Sequence, residues 1–390
     1  MLYDPAQFEP LTDEPWKPDR VEAAIAAIVA DTEAAFDPAA LWPVHEWDAY
    51  LYSVDHPLRV LYAGAAGVVW ALDALGRRGH AETSLDLAVV ALEVLQLERA
   101  EPDATADEHY APGSLFDGVT GPLLVACRLT SGAALADDLH VLVRGNVDNP
   151  TDDISWGAPG TLLAALAMHE STGQTRWLDA ARESAAALRA RRGEDGLWRQ
   201  DDDYRGLGTL HGAAGNTLAL LRLEPDEDLA RETAAVLARH AVRENGLANW
   251  PGATGRTLVR PRDGRIALQW CTGAPGILMG AWDYLGEELV LAGAELIWQA
   301  GAHRDEKGHG LCHGTSGSGF ALLKAFARTG DELWLERARR FAVHALGQAE
   351  RVAVANGRRR YSLFTGDLGT AFFAAACLDG DTRFPIVDVI

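Results

Sequence analysis

The chain has 390 residues, 48% of them hydrophobic and 23% charged, enough apolar content to bury a large core. With 35 Lys and Arg against 56 Asp and Glu, the formal charge is -21, which argues against general binding to nucleic acid or to anionic membranes. Four scattered cysteines exclude a disulfide framework and fit a reducing cytoplasm, and no apolar run of about 18 residues reads as a membrane span.

The opening stretch, MLYDPAQFEPLTDEPW, is acidic and proline-containing, without the basic and apolar regions of a secretion signal. Residues 1–45 are expected to form an N-terminal segment with a first amphipathic helix, DRVEAAIAAIVADTEAAF. At Gly64 a Gly-x-x-Gly element, GAAG, leads straight into the apolar run GVVWALDAL. The element returns as GVTG at Gly118, GAPG at Gly157, GAAG at Gly212, GAPG at Gly273, GTSG at Gly314 and GDLG at Gly366, seven copies in all. Runs such as GPLLVACRL, GTLLAALAM, GILMGAWDYL and GTAFFAAACL are apolar on nearly every side and read as buried helices. Pro159 and Pro275 stand in the first turn, where proline is tolerated. Between them TRWLDAARESAAALRARRG, DLARETAAVLARHAV and ELWLERARRFAVHAL carry apolar residues three and four apart, with one face for solvent. Alternation of buried and amphipathic helices predicts an all-α, α/α toroid of about seven inner and seven outer helices, one domain over residues 1–390.

If every inner helix starts at its glycine pair, all seven motifs gather at one end of the barrel, and the residues just before them line a shared bowl. The two positions before the first glycine read Tyr62-Ala63, Phe116-Asp117, Ser155-Trp156, Leu210-His211, Cys271-Thr272, Cys312-His313 and Phe364-Thr365. Cys271 and Cys312 are 41 residues apart, unlike a zinc ribbon, but one repeat apart in a toroid. Two thiolates and the imidazole of His313 suit Zn²⁺, one ion per chain, and leave a fourth position open as in catalytic zinc sites. His211, in the same bowl, is a candidate acid or base. Cys127 and Cys377 fall inside inner-helix runs and read as small buried hydrophobes, and His309 is taken as structural or solvated.

LHGAAGN at 210–216, QWCTGAPG at 269–276 and GLCHGTSG at 310–317 resemble the zinc-site motifs of the lanthionine synthetase C family, LanC and the LanC-like proteins. SLFDGVTG, DISWGAPG, YSLFTGDLG and the tail FPIVDVI extend the resemblance over almost the whole chain. It implies a seven-fold toroid with one zinc held by Cys271, Cys312 and His313. LanC cyclases add a peptide cysteine across dehydroalanine or dehydrobutyrine to form a thioether, and eukaryotic-type LanC-like relatives are associated with adding glutathione. The phrasing QWCxGAPG and GLCHG is closer to the second branch. The partners implied are a dehydrated peptide or protein, glutathione, and a dehydratase that prepares the substrate. The resemblance also matches Asp153 to a pocket carboxylate, with three readings: it orients or charges His211, it accepts the thiol proton, or it is a solvated loop residue. Lys307 matches a lysine that LanC-like proteins use near glutathione.

Zinc coordination acidifies a thiol while keeping it nucleophilic, and attack on the β-carbon of a dehydroamino acid creates an enolate that needs a proton at the α-carbon. His211 is the expected donor. Two features depart from the cyclases: Thr272 follows the first zinc cysteine, and no arginine stands shortly before Trp270 in their manner. Arg358, Arg359 and Arg360 precede the seventh motif and read either as a basic rim or as a solvated loop. A zinc-containing scaffold that binds thiol peptides or glutathione without turnover is the alternative, and a carbohydrate-active toroid conflicts with the Cys/Cys/His set. The charge of -21 would repel an acidic leader peptide.

Overall fold

The computed structural model describes residues 1–49, 52, 56–103, 112–261 and 263–390. In chain order the helices are α1 (Pro18–Ala34), α2 (Glu46–Ala49), α3 (Ala65–Arg77), α4 (Leu87–Ala100), α5 (Thr120–Leu129), α6 (Ala133–Gly145), α7 (Ala158–Thr172), α8 (Thr175–Arg191), α9 (Ala213–Leu223), α10 (Glu227–His240), α11 (Ala274–Ala281), α12 (Glu287–Ala300), α13 (Thr315–Thr329), α14 (Glu332–Asn356) and α15 (Asp367–Asp379). Seven of them, α3, α5, α7, α9, α11, α13 and α15, begin at the glycine motifs, and each packs on the next until α15 meets α3. That contact closes the ring. The all-round apolar sequences account for the placement: α7 is buried at every residue from Ala158 to Leu166. The long helices between them bury one stripe only, as α8 does at Trp177, Ala180, Ala181, Ser184, Ala185 and Leu188. These, with α1, make the outer ring of the all-α toroid.

The motif glycines let each turn fold back under its own helix. A Cβ on Gly273, at φ 97°, would stand 2.4 Å from the Ala267 carbonyl oxygen, and one on Gly212, at φ 147°, would stand 2.1 Å from the carbonyl carbon of Gly206. These two glycines follow Cys271-Thr272 and Leu210-His211, so the backbone that presents the candidate residues admits no other amino acid.

The turns are stitched to one another around the ring by backbone hydrogen bonds. Trp270 N–H donates to the Cys312 carbonyl at 3.1 Å, Cys312 to Phe364 at 2.8 Å, Phe364 to Tyr62 at 3.3 Å, Tyr62 to Phe116 at 3.0 Å, and Phe116 to Ser155 at 3.4 Å. Ile154 to Leu210 at 3.2 Å and Thr209 to Gly276 at 3.1 Å complete the circuit. These turn backbone groups are thereby satisfied by neighbouring repeats, which sets the register of the bowl. Beneath it lies an aromatic plug in which Trp270 stacks on Phe364, with centroids 5.3 Å apart at 20°, and touches Phe384 of the C-terminal tail at 4.8 Å. The tail is tied inside by Lys324 to Asp388 at 2.6 Å and by Arg222 to the Val387 carbonyl at 2.6 Å.

Two short antiparallel strand pairs complete the frame, one long-range and one a hairpin. Strand β1 (Phe8–Glu9) pairs antiparallel with β4 (Ala302–His303), and β2 (Val242–Glu244) with β3 (Leu247–Asn249). Asn249, at the end of β3, accepts the Ala274 N–H at 2.8 Å and donates to the carbonyl of Leu2 at 2.8 Å. It supplies the cap that Gly273 cannot give to α11.

Candidate functional site

Ring closure brings Cys271, Cys312 and His313 together, with their ligand atoms all within 4.8 Å of one another. Tetrahedral zinc with bonds of about 2.0–2.3 Å sets its ligand atoms about 3.3–3.8 Å apart, which these three reach with at most a small contraction. The surroundings favour negative sulfur. Gln269 Nε2 donates to Cys271 Sγ at 2.7 Å, and the Tyr62 hydroxyl, from the far side of the sequence, hydrogen-bonds Cys312. The hydrogen bond from Cys312, with His313 and His211 nearby, holds the Cys271 thiol well below its usual range against its own burial. Burial and the Cys271 charge push Cys312 the other way. One negative charge thus serves two adjacent sulfurs, a state that a divalent cation would relieve by holding both as thiolates. The donor set fits zinc.

Asp153 is buried at the foot of the third turn and joins two neighbours. Its Oδ1 accepts the Trp156 N–H at 2.8 Å, and its Oδ2 meets His211 Nδ1 at 2.7 Å. Trp156, placed by that turn, stacks on the imidazole with centroids 4.7 Å apart at 26°. The ring is therefore fixed on an edge and a face. Burial alone would lower the His211 pKa, but the charge and hydrogen bond of Asp153, aided by Cys271 and Asp117, leave it raised. Asp153 thus stabilises the imidazolium form against the effect of burial. Asp117, which occupies in the second turn the place that His211 has in the fourth, accepts from Tyr52 Oη at 2.8 Å and Ser155 Oγ at 3.3 Å.

A cavity of about 410 Å³ runs past Tyr204, His211, Cys271, Thr272 and His313, with Trp250, Leu258, Arg256 and Arg260 on its outer wall. A second, of about 360 Å³, meets it at His313 and is bordered by Trp47, Arg265, Lys307 and Arg360. His313 stands between them. Lys307 is half-buried there: burial lowers its pKa, the two cysteines pull it back up, and Arg260 and Arg265 lower it again, for a net decrease. Arg265, five residues ahead of Trp270, brings a cation to this wall although no cyclase-like arginine was expected in the segment.

The arginines before the seventh motif divide. Arg358 is exposed, whereas Arg360 is buried in an ion pair with Asp48, and Arg359 pairs with Asp31 at 3.0 Å and Glu350 at 2.7 Å. Arg359 and Arg360 are thus structural and not a solvated loop. His309, 1% exposed, holds Asp367 at 3.0 Å and Thr370 at 2.9 Å, in line with its structural reading. Cys377 is buried within α15 and Cys127 partly buried in α5, both remote from the candidate metal set. Tyr62, Asp117 and Trp156 stand in the register that singled out His211, Cys312 and His313, but only their neighbours in space reveal what they touch.

The family model for lanthionine synthetase C-like protein matches residues 58–389. Among curated relatives, the chain is similar to glutathione S-transferase LANCL1 of Danio rerio, 33% identical over 134 residues covering 32% of each chain. It is also similar to LanC-like protein GCL1 of Arabidopsis thaliana, 27% identical over 238 residues, 56% of this chain and 53% of that one. The chain thus spans between a third and about half of the length of these relatives. Among solved structures, nisin cyclase superimposes with a TM-score of 0.61 at 15% identity, covering 92% of this chain and 94% of that one, and so shares the fold. With the family match running through all seven glycine motifs, this chain belongs to the lanthionine synthetase C-like family.

Proposed function

We propose that the protein catalyses zinc-dependent addition of a cysteine or glutathione thiol to dehydroalanine or dehydrobutyrine in a dehydrated peptide. The observation that carries this is the His211–Asp153 contact of 2.7 Å, which commits Nδ1 and leaves Nε2 for a cavity that Cys271 and His313 also line. A protein that only bound thiols would have no need of an oriented, protonated imidazole beside its metal ligands.

Zinc held by Cys271, Cys312 and His313 would supply a Lewis-acid site that lowers the pKa of an incoming thiol. In the addition a C–S bond forms at the β-carbon, the alkene π pair moves toward the carbonyl, and the proton lost by the thiol is balanced by one gained at the α-carbon. His211, as imidazolium, delivers that proton. Asp153 orients the ring and keeps it charged, and Trp156 excludes water from one face. Lys307, across His313, faces the carboxylates of a thiol such as glutathione. Opposite placement of Lys307 and His211 gives the thiol and the dehydrated residue separate sides of the metal set. Support for glutathione as donor comes from the name of the Danio rerio relative, and support for a peptide acceptor from that of nisin cyclase. A dehydratase acting beforehand would generate the acceptor.

The test is thiol addition to a dehydroalanine peptide, followed by mass and by loss of free thiol, with the wild type and His211→Ala. The variant should keep its zinc and lose roughly 10²-fold or more in rate. Equal rates would remove His211 from the reaction. An absence of adduct with glutathione and with a peptide bearing its own cysteine would leave the non-catalytic zinc scaffold.

A further inference from the structure

Within a chain of charge -21, the segment between Gly252 and Leu268 carries Arg256, Arg260, Arg262 and Arg265 against one carboxylate, Asp263. It folds as a hairpin: Arg260 N–H donates to the Arg265 carbonyl at 2.8 Å, Val259 bridges Ile266, and Gly264 turns the chain at φ 68°. Arg262 lies outside the described residues. The hairpin sets Arg256 and Arg260 on the wall of the cavity that holds His211 and Cys271, and Arg265 on the wall of the cavity that holds Lys307.

Arginines elsewhere are mostly committed to carboxylates, as Arg144 is to Glu183 and Arg191 to Asp152. Here Arg260 pairs with Asp263, but the side chains of Arg256, Arg265 and Lys307 make no ion pair with any described residue. No carboxylate of the described residues lines the larger cavity, whose other walls are Trp250, Leu258 and Pro261. Arg256, with no ion pair, and Arg260, paired only within the hairpin, stand over an apolar floor and form a local positive field, and the guanidinium fork matches a carboxylate with two hydrogen bonds. Arg256 and Arg260 stand on the His211 side, where the α-carbon of the dehydrated residue must come to be protonated.

We propose that this hairpin reads carboxylates on the acceptor peptide, so that the protein's preferred substrates carry Asp or Glu within a few residues of the dehydroamino acid. The inference rests on the reading above for what the peptide does in the site. It reverses, locally, the repulsion that the overall charge sets against an acidic peptide.

The test uses three fluorescent peptides with one dehydroalanine flanked by Glu, Gln or Lys, and the full-length zinc-loaded protein. Binding is read by anisotropy and adduct formation by mass, with the same thiol throughout. The Glu peptide should bind roughly three- to tenfold more tightly than the Gln peptide at low salt, the gap closing at about 0.5 M salt, and the Lys peptide least well. Arg256→Gln with Arg260→Gln should abolish most of the gap while zinc content and helicity stay unchanged. Equal binding of the Glu and Gln peptides, or a preference that survives in the double variant, overturns the proposal. If the Gln peptide reacts as readily as the Glu peptide, thiol addition stands and the hairpin reading falls. An arginine-dependent Glu preference with no adduct from any peptide would do the opposite.

Discussion

Asp153→Asn isolates the charge behind His211 with little change in shape. In the wild type, Oδ1 accepts the Trp156 N–H at 2.8 Å and Oδ2 meets His211 Nδ1 at 2.7 Å. An amide can satisfy one of these as before, but not both. If its oxygen stays on Trp156, its NH₂ faces Nδ1, which must then be an unprotonated acceptor, so the ring is neutral. If it flips, two N–H groups confront each other at Trp156. Either way the imidazolium loses a charge-assisted hydrogen bond of about 1.5–3 kcal/mol, or about 10- to 100-fold in the protonated population wherever proton supply limits the rate. The sign follows from the causes: burial lowers the His211 pKa, and Asp153 leads the groups that raise it, so removing the carboxylate's charge shifts the pKa downward. The acid required for turnover should therefore be lost at lower pH in Asp153→Asn, the descending limb of the pH–rate profile moving toward acid. Steady-state addition of a small thiol to a dehydroalanine peptide between about pH 5.5 and 9 measures it, around the ordinary histidine value near 6.5. Zinc content and circular dichroism serve as controls. A profile superimposable on the wild type, at equal rate, would refute this account of the pair.

Elemental analysis should give one zinc per chain, and Cys271→Ala or Cys312→Ala should lose most of it, because removing one of three ligands leaves an incomplete set. Helicity should survive in both, since the inner and outer rings bury their apolar faces without the metal; unchanged zinc in both variants would contradict the assignment. Lys307→Ala should weaken glutathione addition through KM more than kcat, and should leave closure of a peptide bearing its own cysteine unaltered; equal effects on both reactions would deny it a carboxylate partner in glutathione. Phe384→Ala removes a ring that is 1% exposed and packed on Trp270 and Phe320, and should destabilise the fold by about 3–5 kcal/mol. Urea unfolding reads it, and an unchanged midpoint would show that the tail does not plug the toroid.

Much of the site was written in the repeat register. A helix apolar all round can only be an inner one, and the glycine pairs mark where each turn passes under its own helix. Residues at equivalent offsets must then face the same bowl, and so Cys271, Cys312, His313 and His211 could be grouped before any coordinates. The glycines at 212 and 273 are legible for the same reason, because their positive φ angles and close backbone approaches exclude a Cβ. Periodicity is a local property, and these are its local consequences.

What periodicity cannot encode is which repeats touch and what a side chain meets across the ring. Tyr62 reaches Cys312 only because α15 closes on α3, across a separation that no spacing rule connects. Asp153 reads from sequence as a solvated carboxylate as readily as a buried one; its burial follows from an Asx-type turn that simultaneously lays Trp156 on His211. Arg359 and Arg360 look like a surface run until Asp31 and Asp48, brought up from distant segments, pair with them beside the local partner Glu350. Arg256 and Arg265 show the converse, since only the tertiary structure places them beside the candidate site with no ion pair to a described carboxylate, while Arg260 keeps Asp263. Local geometry was determined by the order of residues, whereas electrostatic partnership was decided by ring closure, because charge interactions depend on distance in space and not along the chain.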